Sequence, residues 1–336
     1  MLDRMWLSTL PILYGAAASG AWDEPYRSTR SWSGGLEIFA EGSLWSDPEE
    51  ALRRLAACLE RWEGPRSVHA PFWELNLASP FPDRARWSVE VLRQVVRIAA
   101  AGGAEFVVVH THDTAAPLFD RAAARERVLS ALRILAEEAA GRGVRLAVEN
   151  IGVGEFSLFD RDEFVALFTE VPGAVALLDV GHAHLNGWPL AETIAALGPR
   201  LYALHVHDNH GRADEHLPVG EGTIDWQPVW QALRQLPRPP VLVLEYAPGT
   251  PVSRQVYDAL RIGAWLSGPD RGGGGATADR DEAEGLAISA RDGAHSPVVP
   301  AGDGVEGPAG GAGGGAVGAA ASARGAAWGP CGRQGT

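Results

Sequence analysis

Residues 175–187 read VALLDVGHAHLNG. A short apolar run, Val175–Leu178, ends abruptly in a carboxylate, Asp179, and His182 follows three residues later. Four or five apolar residues are too few for a helix, so the run reads as a buried strand that delivers Asp179 at its end. The same pattern recurs along the chain. Strands are expected at Trp6–Leu10, Leu36–Ala40, Ser67–His69, Glu105–His110, Val144–Glu149, Val175–Asp179, Leu201–His205 and Pro240–Glu245.

Amphipathic stretches lie between these runs. Asp47 and Pro48 open a helix to Trp62, as a cap residue followed by proline at the first helical position. Further helices are expected over Asp83–Ala101, Asp120–Ala140, Asp162–Thr169, Leu190–Leu197, Trp226–Leu236 and Ser253–Leu266, while Ala21–Ser33 is a poor helix former. Regular strand–helix alternation implies a parallel sheet. Eight strands in about 266 residues suit an α/β fold with a single (β/α)8 TIM barrel, residues 1–266. A doubly wound open sheet is the rival, but no Gly-x-Gly-x-x-Gly follows an early strand.

The chemistry lies at the strand ends. Six successive strands finish in His69, His110, Glu149, Asp179, His205 and Glu245. His182 stands beyond strand six, and the loop after strand seven supplies Asp214 and His216. A parallel barrel gathers all these ends on one face. Taken alone, His69 or His110 reads as a satisfied core histidine. Glu149 is harder to explain structurally, because a lone buried carboxylate is costly. Together, so many acids and imidazoles require positive charge among them, which a divalent metal ion supplies. The donors are oxygen and nitrogen without thiolate, a set that suits Mn, Zn, Co, Mg or Fe.

Composition removes several other chemistries. All 29 basic residues are arginine, against 42 acids and a net charge of −13. Without lysine there is no Schiff base, no lysine-held pyridoxal cofactor and no Walker-type phosphate loop. Two cysteines, Cys58 and Cys331, stand far apart in unlike contexts, which fits a reducing, cytoplasmic setting without disulfides. No apolar run approaches the roughly 18 residues of a membrane span. Met5–Trp22 loosely resembles a signal peptide, but Asp3 offsets Arg4 and Pro11 breaks the stretch. The last 70 residues, 267–336, hold 20 of the 41 glycines and a single aromatic, Trp328. Such a segment is expected to be a low-complexity disordered tail.

The motifs HAPF (69–72), AVEN (147–150), LLDVGHAHLNG (177–187), HVHDNHG (205–211), DEHLPVGEGTIDW (214–226) and LVLEY (242–246) resemble those of the xylose isomerase-like TIM barrels. That superfamily includes sugar isomerases, sugar epimerases and endonuclease IV, and the resemblance spans Trp6–Leu266. It implies one metal held by Glu149, Asp179, His205 and Glu245 in the isomerases and epimerases. Endonuclease IV holds three zinc ions, and counterparts of all its ligands are present. They are His69, His110 and Glu149 for one ion; Glu149, Asp179, His205 and Glu245 for a second; His182, Asp214 and His216 for a third.

Two activities follow from that resemblance. In the first, a metal-dependent isomerase or epimerase acts on a sugar or sugar phosphate. Glu149 and Glu245 exchange protons with the substrate, His182 orients a hydroxyl, and Phe72, Trp73, Trp188 and Trp226 form an apolar wall. In the second, a trinuclear centre of the AP endonuclease family 2 type cleaves DNA at abasic sites. The barrel carries 24 Arg against 34 acids, and the loop after strand two, Glu41–Trp45, has an acid and no arginine. DNA binding needs basic groups along the phosphates. The loops therefore favour a small substrate over nucleic acid, with self-association left open. A non-catalytic binding barrel has little to recommend it beside an intact ligand set. Around the ligands, His112, His184, His207 and His210 are candidate outer partners. Arg212 and Arg254 could contact a phosphate. Glu37 ends strand two near the same face and could touch substrate.

Overall fold

A strand turns successive side chains to opposite faces, and here that alternation separates two cores. The structure, a computed structural model, describes residues 2–12, 29, 32–40, 48–114, 116 and 120–267. Its strands are β1 (Met5–Ser8), β2 (Gly35–Phe39), β3 (Arg66–His69), β4 (Phe106–Val109), β5 (Arg145–Glu149), β6 (Ala174–Asp179), β7 (Leu201–Val206) and β8 (Val241–Leu244). Each pairs in parallel with the next and β8 returns to β1, closing the barrel the sequence implied. The helices are α1 (Pro48–Arg61), α2 (Pro82–Ala101), α3 (Arg121–Ala140), α4 (Arg161–Glu170), α5 (Val180–Leu185), α6 (Leu190–Leu197), α7 (Trp226–Arg234) and α8 (Val252–Ser267). The low-complexity segment beyond Ser267, the Glu41–Trp45 loop and most of Ala21–Ser33 lie outside the described residues.

One alternate set of strand residues, including Leu7, Ile38, Val68, Val107, Leu146, Leu178, Leu204 and Leu244, packs outward against the helices. The other set fills the barrel: Trp6, Phe106, Val108, Ala147, Leu177, Ala203, Val241 and Val243. Trp6 stacks on Phe106 at 5.3 Å between ring centroids, and Phe106 meets Tyr202 edge-on. Gly35 makes room for this plug, since a Cβ there would fall 2.3 Å from the Trp6 indole. Towards the strand ends the inward residues become ionisable on β2, β3, β5, β6, β7 and just after β8: Glu37, His69, Glu149, Asp179, His205 and Glu245.

Local signals set the helix starts. Asp120 caps α3 by accepting from the Ala123 N–H, and Asp160 forms a capping box with Glu163 at α4. Asp179 does the same for α5, accepting from His182 N–H at 2.6 Å. That one-and-a-half-turn helix is absent from the sequence expectation, because VGHAHL shows no apolar period. It lifts His182 over the barrel mouth. The seam between first and last strands is tied by Gln255 of α8, whose amide donates to Ser8 O and Leu244 O. Among the described residues no helix is long and apolar enough to cross a membrane.

Candidate metal centre

Strand register brings the ionisable residues together. Asp179 on β6 lies beside His205 on β7, and Glu37 on β2 beside Ser67 on β3. Glu149 stands in the middle. Its Oε2 is 3.1 Å from His110 Nε2 and 3.4 Å from His69 Nε2, while its Oε1 is 3.4 Å from His182 Nδ1 and 3.5 Å from His205 Nδ1. One carboxylate thus faces two groups of donors.

The second group centres on His205 Nδ1. That atom is buried and has no hydrogen-bond partner, yet it faces Glu245 Oε2 at 3.2 Å, Glu149 Oε1 at 3.5 Å and Asp179 Oδ2 at 3.7 Å. Donors that share one divalent ion at about 2.0–2.2 Å stand about 3.0–3.6 Å apart; the Glu245 and Glu149 separations fall in that range and Asp179 lies just beyond it. A third group lies towards solvent. Asp214 Oδ2 is 3.1 Å from both His182 Nε2 and His216 Nε2, and Asp214 Oδ1 is buried without a partner. All nine sequence-predicted ligands therefore lie in one contiguous cluster. Its orphaned nitrogen and all-oxygen-and-imidazole donors fit one to three divalent ions.

The outer hydrogen bonds orient the imidazoles. His69, His182 and His216 each donate Nδ1–H to a backbone carbonyl, of Ala70 (3.0 Å), Asn150 (3.1 Å) and Glu245 (2.8 Å). Each therefore presents Nε2 to the cluster. His207 donates Nε2–H to Asp179 Oδ2 at 3.0 Å and stacks on the His216 ring at 3.9 Å. Gly181 permits this, because a Cβ there would sit 2.1 Å from the His207 ring. Asn150 clamps the β6 end, accepting from Asp179 N–H at 2.7 Å and donating to Asp179 O at 3.0 Å.

Acids and imidazoles shift one another's ionisation throughout the cluster. Burial raises the cost of ionising Glu149, Asp179 and Asp214, yet the facing histidines hold all three below the ordinary carboxylate range. Burial likewise works against charged imidazoles. The surrounding carboxylates still hold His205 and His182 well above the usual range, and His216 at about 10. His112 is different: burial pushes it down to about 4, and its Nε2–H bonds Phe156 O at 2.8 Å. It is a neutral strut between the loops after β4 and β5.

The loop carrying Asp214 and His216 is fixed by Asp208. Its carboxylate accepts from the N–H groups of Asn209, Gly220 and Ile224 and from Trp226 Nε1. The loop closes tightly at Gly222, where a Cβ would meet Asp208 Oδ1 at 2.3 Å. The clamp also holds His216 in a left-handed conformation, φ 49°, unusual for a residue with a Cβ. From α8, Arg254 binds Glu221 and Asp258. The side chain that sequence offered as a phosphate contact is thus engaged in holding the loop.

The predicted aromatic wall divides. Phe72 stacks on His110 at 4.6 Å and touches His69 edge-on, and Trp73, 49% exposed, stacks on Phe72 at the rim. Phe39 adds a face against His69 at 4.5 Å, a contact sequence reasoning missed because Phe39 reads as core. Trp188 packs instead against Phe164, and Trp226 lies buried on Trp230 with its N–H on Asp208. These two rings belong to the outer packing layer. Glu37 is fully buried below the mouth, bonded to His205 Nε2 and Ser67 Oγ at 3.0 Å each, rather than facing substrate.

Over residues 34–262 the sequence matches the family described as xylose isomerase-like TIM barrel. MJ1311, an uncharacterized protein of Methanocaldococcus jannaschii, is 28% identical over 236 residues, which cover 67% of this chain and 76% of that protein. A D-tagatose 3-epimerase-like protein is similar in structure, with a TM-score of 0.63 at 22% identity, covering 85% of this chain and 98% of the other. The apo form of 3-keto-D-glucoside 4-epimerase, YcjR, from E. coli has a TM-score of 0.58 at 18% identity, covering 78% and 98%. These structural likenesses establish a shared fold. The family match spans well over half of the sequence, and the chain belongs to the xylose isomerase-like TIM barrel family.

Proposed function

We propose that this protein is a divalent-metal-dependent isomerase or epimerase of a small sugar or sugar phosphate. The observation that carries the reading is the convergence of Glu149, Asp179, Glu245 and the unpartnered His205 Nδ1 at the barrel mouth. Mn, Zn, Co, Mg or Fe all suit that donor set. A divalent cation held there supplies Lewis acidity to a bound hydroxycarbonyl, making the neighbouring C–H more acidic.

The chain's own groups do the rest. Glu149 and Glu245 come from strands three apart in the barrel and reach the substrate from different sides. One carboxylate takes the proton from the carbon beside the carbonyl, and the other returns a proton. Return to the opposite face of the same carbon inverts it; return to the neighbouring carbon interconverts aldose and ketose. His182 orients a hydroxyl from its Nε2 edge, which it shares with Asp214 Oδ2 at 3.1 Å, since its Nδ1–H is committed to Asn150 O. Phe72 and Trp73 offer an apolar surface to the C–H face of the sugar. The structural relatives, one an epimerase and one epimerase-like, support this direction.

A second reading has its own support. The His69–His110–Glu149 and His182–Asp214–His216 groups provide donors beyond a single site, as an endonuclease IV-like phosphodiesterase requires. Against it, Arg84 near the mouth is engaged by Asp113 and Glu74 O, and Arg254 by Glu221 and Asp258. The deciding experiment incubates the metal-loaded protein with a panel of ketoses, aldoses and their phosphates, beside a labelled abasic-site duplex. Sugar conversion that disappears in Glu149→Gln is expected. Strand cleavage at the abasic site, with the sugars untouched, would overturn the proposal.

A further inference from the structure

We infer that Glu37 is a positioning residue for cation binding, acting through His205. The inference rests on metal binding at the His205 group and goes beyond the ligand set itself. Three of the cluster's histidines are oriented by backbone carbonyls, which the fold supplies whatever the side chains. Of the other two, His110 bonds Glu149, whereas His205 has a carboxylate behind it. The His205 ring is turned the other way round, with Nδ1 towards Glu149, Asp179 and Glu245 and Nε2 at 3.0 Å from Glu37 Oε1. A carboxylate accepting that N–H fixes the tautomer in which the Nδ1 lone pair faces the cation position, and it makes the ring a stronger donor.

Glu37 is itself held for the task. It occupies an inward position of β2, is fully buried, and accepts from Ser67 Oγ at 3.0 Å through its second oxygen. Both oxygens act as acceptors from within the barrel, and the side chain lies below the mouth. With one oxygen taken by His205 and the other by Ser67, it backs the imidazole rather than competing with it for a cation. A buried carboxylate is costly unless paired, and here both its partners lead to the metal cluster or to its neighbouring strand.

The test measures Co2+ affinity of the full-length protein by competition with a chromophoric chelator, in the absence of any sugar, with the visible Co2+ spectrum as a second readout. The variants are Glu37→Gln, Glu37→Ala, His205→Ala and the double variant. Glu37→Ala is expected to weaken the affected Co2+ site by about 10–100-fold and to alter its spectrum. Glu37→Gln keeps shape and an acceptor but loses the charge, and should fall between. In the His205→Ala background, Glu37→Ala should add no further loss, because the two act through one bond. A merely structural role would lower the melting temperature and leave the affinity and spectrum of the folded protein unchanged. Wild-type affinity and spectrum in folded Glu37→Gln, or additive losses in the double variant, would overturn the inference. Failure of wild type to bind Co2+ would overturn both this and the metal-dependent reading. Binding without sugar conversion would leave this inference standing and remove only the sugar.

Discussion

At the scale of single residues, Glu149 carries the most. Each of its oxygens faces a different donor group, so replacing the charge without changing the shape isolates the chemistry. Glu149→Gln should cut turnover by about 10²–10⁴-fold, the usual range for loss of a positioned acid or base, while the melting temperature changes far less. Assays on the sugar panel beside thermal melts check this. His216 gives a pH prediction. Its folded pKa, about 10, lies above its ordinary value of 6.5. A raised histidine stabilises the fold fully below pH 6.5, and the contribution is lost as pH rises through about 10. The metal-free protein should therefore melt at progressively lower temperature from pH 7 to 10. His216→Asn should flatten that part of the slope. At this scale the sequence was legible wherever a charge interrupted an apolar run, as at Glu149 and Asp179. It was misleading where a residue's partners come from distant strands. Glu37 was open to a substrate contact, because nothing in GLEIF tells that His205, 168 positions away, will bond it. Phe39 and Trp226 are similar: an aromatic in sequence does not say whether it lines a mouth or a core.

At the scale of elements, the loop from Asn209 to Asp225 is the part whose shape matters most. Asp208 satisfies four donors around it, three of them backbone N–H groups. Leaving buried donors without acceptors costs about 1–3 kcal/mol each. Asp208→Ala should therefore destabilise the protein by several kcal/mol at most and loosen Asp214 and His216 first. Urea denaturation measures the former, and faster hydrogen exchange over residues 209–224 the latter. Gly181→Ala tests α5. The added methyl would collide with the His207 ring, which must leave Asp179 or push the helix away. Divalent-metal affinity should drop while far-ultraviolet circular dichroism stays the same. Strands and long helices were readable from the chain because periodicity is a local property. The short α5 was not, since six residues carry too little pattern and its existence depends on the Asp179 cap and on β6 ending there.

At the scale of the whole molecule, the barrel joins its first and last strands through β1–β8 pairing and Gln255, while the cluster of candidate ligands draws on six of the eight strand ends. Ligands spread so widely tie cation binding to global stability. A ligand present at about 1,000 times its dissociation constant adds about 4 kcal/mol. Dialysis against a chelator should lower the melting temperature by several degrees, and added Mn2+, Zn2+ or Co2+ should restore it. An unchanged melt with and without metal would argue against a cation anywhere in the cluster. The closed parallel order was legible from strand count, alternation and the missing glycine motif of an open sheet. The way the interior divides into an apolar half and an ionisable half was legible only once the register was known, because it depends on which alternate residue of each strand points inward.

The indole of Trp6 and the ring of Phe106 cork the barrel at its lower end, and Gly35 lets the cork sit flush. Nothing passes through a corked tube. Whatever enters the upper opening must leave by the same door, and in reverse order of arrival. If a cation is held there, a molecule lodged above it would act as a stopper, so a chelator should strip the metal more slowly when a true substrate is present. The extent of that delay across a panel of sugars offers a way to rank them before any turnover is seen.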